Sequence, residues 1–151
     1  VGRRVFSYEA DGFLGNGIVA NTTEVSIFRK MSAAEAEKTF ETMRLQPQIK
    51  GTDSSKYLSE SLEKVQAFQN KAVAAGTDQQ IVEFVLDRQG YNKLMSTAVE
   101  QSSSKGVDAI KFHYEGMSQT ANPSLRNIGV PASKLDEFNQ LIIDIKRANG
   151  G

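Results

Sequence analysis

The 151-residue chain contains no cysteine, and His113 is its only histidine. The absence of cysteine excludes disulfide bonds, thiolate zinc sites and a cysteine nucleophile. A single histidine excludes a histidine-rich metal centre and leaves serine–histidine hydrolysis dependent on one residue. We therefore expect any catalysis to rely mainly on carboxylates, hydroxyls and arginine, without a metal.

An excess of charge and a long apolar run are also missing. Eighteen basic residues balance eighteen acidic ones, so the chain lacks the positive charge that proteins use to bind phosphate backbones. No apolar segment approaches the length of a membrane span, and the N-terminus VGRRVFSYEADGF has no signal-peptide core. We expect a soluble domain with no membrane partner. Because the sequence begins with Val1, we also expect it to be either a fragment cut from a longer polypeptide or a trimmed form of the chain, with any export encoded elsewhere.

The composition is that of a folded domain, with 39% hydrophobic and 24% charged residues. A chain of this length can bury one ordinary core. Residues 1–24 are rich in glycine and asparagine and show no sustained period, so we interpret them as an entry segment. Residues 25–151 are predicted to form a single domain.

Hydrophobic patterning predicts a mixture of strands and helices without regular alternation. Strands are predicted over 25–31, 56–59, 81–86, 110–116, 126–130 and 141–147, the last of which could instead continue a helix. Helices are predicted over 33–43, 61–68, 92–99 and 133–139, the first with a capping box in which Ser32 and Glu35 bond reciprocally. Ala36, Phe40 and Met43 should form its apolar face. This order favours an α+β fold, with a mostly antiparallel sheet and flanking helices.

Three polar features stand out from this framework. Arg29 lies on the apolar-facing side of the first strand, Ser59 and Ser61 flank a strand-to-helix corner, and Glu115 lies at a strand end. Each alone is commonly structural: an ion-pair partner, a helix cap or a surface carboxylate.

In this order, the three features resemble the arginine–serine–glutamate signature of ADP-ribosyltransferases. The segments FRKMSAAEA, YLSESL, FHYEG and NIGVPASKLDEFNQLIIDIK look like the C-terminal toxin domains of Rhs-type and contact-dependent polymorphic toxins of this class. The resemblance covers about residues 25–146. It implies an ADP-ribosyltransferase-like fold and a mono-ADP-ribosyltransferase that uses NAD as co-substrate.

The resemblance also implies roles for individual residues. Arg29 would bind an NAD phosphate, which suits a planar guanidinium with paired donors. Ser59 would steady the catalytic carboxylate and the nicotinamide-side ribose, with Ser61 assisting. Glu115 would hydrogen-bond that ribose and stabilise the oxocarbenium-like charge as nicotinamide leaves.

Nicotinamide also needs a flat apolar wall, which Tyr57, Phe68 or Tyr114 could provide by stacking. Core packing is the more common role for a residue such as Phe68. The sequence departs from many relatives two positions before Glu115, where it has His113 in place of an acidic or amide residue. Enzymes of this class that modify arginine often carry such a residue there, so the type of residue that this chain would modify stays open. His113 could orient the acceptor, but we favour a structural role in its strand.

The family further implies how such a domain acts. It would be delivered as part of a larger effector, for example by type VI secretion, and would act in the cytoplasm of a target bacterium during interbacterial competition. Its target would be a bacterial protein, such as the essential GTPase elongation factor Tu, in preference to RNA. A cognate immunity protein would protect the producing cell by blocking the NAD cleft.

Two other functions remain open. One is a metal-independent ribonuclease toxin that uses His113 with Arg29 or a tyrosine, although a single histidine and a neutral chain count against it. The other is a non-catalytic binding module, in which the three features would coincide by chance. Dependence on NAD separates all three.

Overall fold

The computed structural model describes residues 23–48, 55–76, 79–101, 108–114 and 125–148. These residues form an α+β fold in which four α-helices flank a seven-stranded, mixed and mostly antiparallel sheet. The strands are β1 (Glu24–Ser32), β2 (Lys56–Ser59), β3 (Gln79–Asp87), β4 (Val99–Glu100), β5 (Lys111–Tyr114), β6 (Arg126–Val130) and β7 (Ile142–Arg147). The helices are α1 (Ala33–Thr42), α2 (Leu62–Ala74), α3 (Arg88–Met95) and α4 (Leu135–Gln140). The α+β architecture predicted from the sequence is confirmed.

The sheet has the strand order β4-β5-β6-β2-β1-β3-β7. Its pairs are antiparallel except for β4 and β5, which run parallel. The strand order brings β1 and β2, which carry Arg29 and Ser59, next to each other in the interior of the sheet. The prediction of strands at these positions is therefore confirmed, as it is for β3, β6 and β7.

The two halves of the sheet separate between β1 and β2. β1 pairs with β3 along all nine of its residues, and β2 pairs with β6 along all four of its own. Between β1 and β2, by contrast, the described residues pair at a single position, Phe28 opposite Ser59. The strands diverge on the side of Arg29 and Lys30, and this divergence opens a space between the two halves.

Helix α1 begins where the sequence predicts, with one difference. The hydroxyl of N-cap Ser32 accepts a hydrogen bond from the amide of Glu35, as expected of a capping box. The Glu35 side chain, however, bonds to Arg29 and Lys56, so the expected reciprocal bond to the cap is replaced by an ion-pair cluster. Met43 is also not on the apolar face, because it adopts a left-handed conformation at the C-cap and is exposed.

The last two helices begin at different residues from those predicted. Helix α3 begins at Arg88, directly after β3, because the Asp87 side chain accepts a hydrogen bond from the amide of Gly90 and caps the first turn. Helix α4 follows a short 3-10 helix, Ala132–Lys134, and has no side-chain cap. Ser133, the first residue of the predicted helix, donates its hydroxyl proton to Asp108.

The main core lies on one face of the sheet. Alternate residues of β1 and β3 on this face pack with α1, α3 and α4, and the largest fully buried side chains include Tyr91, Phe84, Phe138, Ile27 and Met31. Helix α2 contacts β1 and β3, and its buried Val65 lies outside this core. Because side chains of a strand alternate between faces, we infer that α2 covers the other face. Burial of Ile81 and Val85, which alternate with the core residues of β3, agrees with this inference.

Two expectations concern the whole chain. None of the helices in the described part is long and apolar enough to cross a membrane. The predicted entry segment, residues 1–24, lies outside the described residues except for Thr23 and Glu24, and Glu24 is the first residue of β1.

Candidate functional site

A cavity of about 330 Å³ lies where β1 and β2 separate. Four strands, β1, β2, β5 and β6, contribute residues to its lining, and α2 closes one side. The lining residues are Phe28, Arg29, Lys30, Tyr57, Leu58, Ser59, Lys64, Val65, Phe68, His113 and Asn127. The cavity thus brings together four residues predicted from the sequence to bind NAD, namely Arg29, Tyr57, Ser59 and Phe68.

The sheet register explains why these residues meet. Phe28 of β1 lies opposite Ser59 of β2, Ser59 lies opposite Asn127 of β6, and Asn127 lies opposite His113 of β5. Paired residues project to the same face of a sheet. The four therefore form one row across four strands, and all four line the cavity.

Arg29 lines the cavity and bridges the two halves of the sheet. Its Nε and one terminal nitrogen bond to the two carboxylate oxygens of Glu35, at 2.8 Å and 3.2 Å. Its other terminal nitrogen donates to the backbone carbonyl of Tyr57, 2.8 Å away. The guanidinium therefore links β1 to helix α1 and to strand β2 at the point where the strands diverge.

Lys56 completes a cluster of three charges with Arg29 and Glu35. Its Nζ lies 3.0 Å from the Glu35 carboxylate, and its side chain is only 6% exposed. Burial raises the pKa of Glu35, but the hydrogen bonds and charges of Arg29 and Lys56 outweigh it and hold that pKa below its ordinary value. Burial, together with the charge of Arg29, lowers the pKa of Lys56 despite its bond to Glu35. Glu35 and Lys56 also line a second cavity, with Lys38, on the other side of this cluster.

Two exposed aromatic rings lie in the cavity. Tyr57 is 39% exposed and Phe68 is 44% exposed. The Tyr57 ring packs on the backbone of Gly129 in β6, where any side chain would collide with it. The ammonium of Lys64 lies over the Phe68 ring, 5.1 Å from its centre. Phe68 is thus not a core residue, although core packing is the more common role for such a side chain.

The serines at the end of β2 are both buried and have different roles. The Ser59 hydroxyl accepts a hydrogen bond from the amide of Ser61, 2.9 Å away, and Ser59 lines the cavity. Ser61 is the N-cap of α2, with its hydroxyl accepting a bond from the amide of Lys64. Ser61 is not among the residues that line the cavity.

The predicted catalytic carboxylate, Glu115, lies outside the described residues. β5 is described as far as Tyr114, whose side chain is 55% exposed and is not part of the cavity lining. His113 does line the cavity. Its Nε2 lies 3.2 Å from the amide nitrogen of Asn127, and its Nδ1 lies 3.2 Å from Oε1 of Gln101.

Sequence reasoning missed a polar cluster around Glu60, which lies between Ser59 and Ser61. The Glu60 carboxylate accepts hydrogen bonds from the backbone amide and the guanidinium of Arg126, each at 2.8 Å, and from the Tyr91 hydroxyl at 2.6 Å. Burial, reinforced by Glu60, raises the pKa of Tyr91. Burial opposes the charge of Arg126, but Glu60 outweighs it and raises the pKa of Arg126. This cluster ties the end of β2 to β6 and α3.

The cavity is suited to an anionic ligand that carries a flat ring. Its charged lining residues are Arg29, Lys30 and Lys64, and no carboxylate belongs to the lining in the part of the chain that the structure describes. Hydroxyl, amide and imidazole groups add hydrogen-bonding partners, and the exposed rings offer stacking surfaces. Within the same described ranges, no group of three or more histidine, aspartate or glutamate side chains could hold a metal ion.

Comparison with known proteins does not assign the chain to a family. No family model matches its sequence, and no curated protein matches it either.

Proposed function

We propose that this chain is a mono-ADP-ribosyltransferase toxin domain that transfers ADP-ribose from NAD to a bacterial macromolecule. One observation carries the proposal. Arg29, Tyr57, Ser59 and Phe68, which the resemblance or the need for a stacking surface selects as NAD-binding residues, line one cavity at the divergence of β1 and β2. The proposal includes the finer expectation of an ADP-ribosyltransferase-like fold.

The chemistry of the cavity supports the roles proposed for Arg29, Tyr57 and Phe68. The guanidinium of Arg29 keeps donors for a phosphate, and Lys30 and Lys64 add positive charge for the pyrophosphate of NAD. Tyr57 and Phe68 offer their exposed rings to nicotinamide. Ser59 lies in the same row across the sheet as His113. In the sequence, His113 comes two residues before Glu115. In the proposed reaction, Glu115 stabilises the positive charge that develops on the ribose as nicotinamide departs.

The biological context of the proposal follows from the same family. The domain acts in the cytoplasm of a target bacterium after delivery within a larger effector of the Rhs or contact-dependent class. Its acceptor is a protein, such as an essential GTPase, in preference to RNA. A cognate immunity protein covers the cavity and keeps NAD out. Growth arrest of cells that express the chain, and rescue by the immunity protein, are the expected outcomes.

A ribonuclease or a non-catalytic module would behave differently from a transferase. Nicotinamide release from NAD in the presence of bacterial lysate is the decisive assay, with mass spectrometry to identify the product that carries ADP-ribose. We expect the parent chain to release nicotinamide and Glu115→Ala to release it at least about 100-fold more slowly. Glu41→Ala, which removes an exposed carboxylate on α1, is the matched control and should keep the parent rate.

Each alternative has its own result in this assay. RNA cleavage without added NAD would indicate the ribonuclease. A parent chain that neither consumes NAD nor cleaves RNA would indicate a binding module. Either result would exclude the transferase.

A further inference from the structure

Glu35 has no role in the chemistry proposed above, yet it accepts two hydrogen bonds from the Arg29 guanidinium. Its two carboxylate oxygens face Nε and a terminal nitrogen of the guanidinium, at 2.8 Å and 3.2 Å. Paired bonds of this kind fix both the position and the plane of a guanidinium. The Arg29 and Glu35 side chains are mostly buried, which limits competition from water.

The paired bonds leave part of Arg29 available. A guanidinium has five N–H donors. Two of them bond to Glu35 and a third bonds to the carbonyl of Tyr57. The other two have no partner among the described residues, and Arg29 lines the cavity. A phosphate in the cavity would meet an arginine whose orientation is already set, so that binding costs less conformational entropy.

Lys56 brings the net charge of the cluster to +1. Arg29, Glu35 and Lys56 carry charges of +1, −1 and +1, which sum to +1. Removal of Glu35 alone would leave two buried cations without their counter-ion, at a large cost in stability. Removal of Glu35 and Lys56 together keeps the sum at +1, because only Arg29 then remains. A double substitution can therefore remove the paired bonds without changing the net charge of the cluster.

We propose that Glu35 is a positioning residue for NAD binding: its carboxylate holds the Arg29 guanidinium in one orientation and thereby keeps its two remaining donors available to the dinucleotide phosphates. This inference rests on the proposed function, because it takes NAD as the ligand of the cavity. It assigns Glu35 no contact with NAD. Loss of Glu35 should therefore weaken NAD binding and leave the chemical step nearly unchanged.

The test compares the parent chain with Lys56→Met and with Glu35→Gln/Lys56→Met in nicotinamide release. The double variant should raise KM for NAD about 10-fold and change kcat by less than about 3-fold. Lys56→Met is the matched control, because it disturbs the same cluster but keeps the paired bonds between Glu35 and Arg29. Its KM should stay within about 2-fold of the parent.

Circular dichroism establishes whether each variant folds. If the double variant does not fold, Glu35→Asp takes its place, because it keeps the negative charge but shortens the side chain by one methylene. The same rise in KM is expected from it. An unchanged KM in an active, folded variant would overturn the positioning role alone. A parent chain that does not consume NAD would overturn the proposed function, and the positioning role with it.

Discussion

The ring of Tyr57 lies so close to Gly129 that a Cβ atom on the glycine would stand 2.8 Å from Cε1 of the tyrosine. The two residues are directly opposed on β2 and β6. Because Tyr57 also lines the cavity, the glycine sets how far its ring projects into that space. The identity of residue 129 thus controls one wall of the proposed NAD site.

We predict that Gly129→Ala displaces the Tyr57 ring and lowers the free energy of unfolding by about 1–3 kcal/mol, the usual cost of overpacking. In a Tyr57→Ala background the clash is absent. There the same change should be neutral or stabilising by roughly 0.5–1 kcal/mol, since alanine restricts the unfolded chain more than glycine does. Urea denaturation of the four proteins measures this coupling. An equal cost of Gly129→Ala in both backgrounds would show that the ring does not rest on the glycine.

Phe68 provides a prediction about ligand binding. Phe68→Ala should raise KM for NAD about 5-fold or more, because stacking of one aromatic ring is worth roughly 1–3 kcal/mol. Its effect on stability should be small, because the side chain is 44% exposed. Val73→Ala, on the same helix and outside the cavity, is the control. If both variants have the KM of the parent, Phe68 is not part of the binding site.

The Glu60 cluster provides a prediction about stability. Glu60→Gln removes the charge that balances Arg126 in a largely buried pair, and should lower the free energy of unfolding by about 3 kcal/mol. Glu37→Gln, at an exposed position of α1, should change it by less than about 0.5 kcal/mol. Thermal or urea denaturation compares the two. Equal stability of both variants would show that Glu60 does not stabilise the contact of β2 with β6 and α3.

Glu35 also predicts a dependence of stability on pH. Because the pKa of Glu35 is lower in the folded chain than its ordinary value of 4.5, the unfolded state binds more protons between the two values. The stabilisation is present above the ordinary pKa and is lost as the pH falls through the folded pKa. Between about pH 5.5 and pH 3.5, the parent should therefore lose more stability than Glu35→Gln/Lys56→Met. Identical losses, measured by urea denaturation, would mean that Glu35 is not held ionised by its neighbours.

The strands could be predicted from the sequence because each carries its own pattern. Alternation around Ile27 and a run of β-branched residues around Val82 are visible within a few positions, and the boundaries of β2 and β6 are as predicted. The start of α3 was wrong because Asp87 ends a strand and caps a helix at once, without the loop that usually separates them.

The ion pairs around the cavity could not be predicted from local patterns. Glu35 fits a capping box, but its carboxylate is taken by Arg29 and Lys56, the latter 21 positions along the chain. Glu60 looks like a surface residue between two serines, yet its partner Arg126 is 66 positions away. Such contacts depend on strand order, which a single sequence does not specify. The charge of Glu60, at a corner otherwise made of small polar and apolar residues, was the one local signal.

The most direct test of the central claim is NAD binding itself. Calorimetric titration of NAD into Glu115→Ala avoids turnover, and Arg29→Lys in the same background keeps the positive charge but removes the fork of paired donors. We predict one NAD site per chain, with affinity at least about 10-fold weaker in the Arg29→Lys protein, or about 1.4 kcal/mol. The absence of NAD binding to folded Glu115→Ala, or equal affinity in the two proteins, would contradict the account.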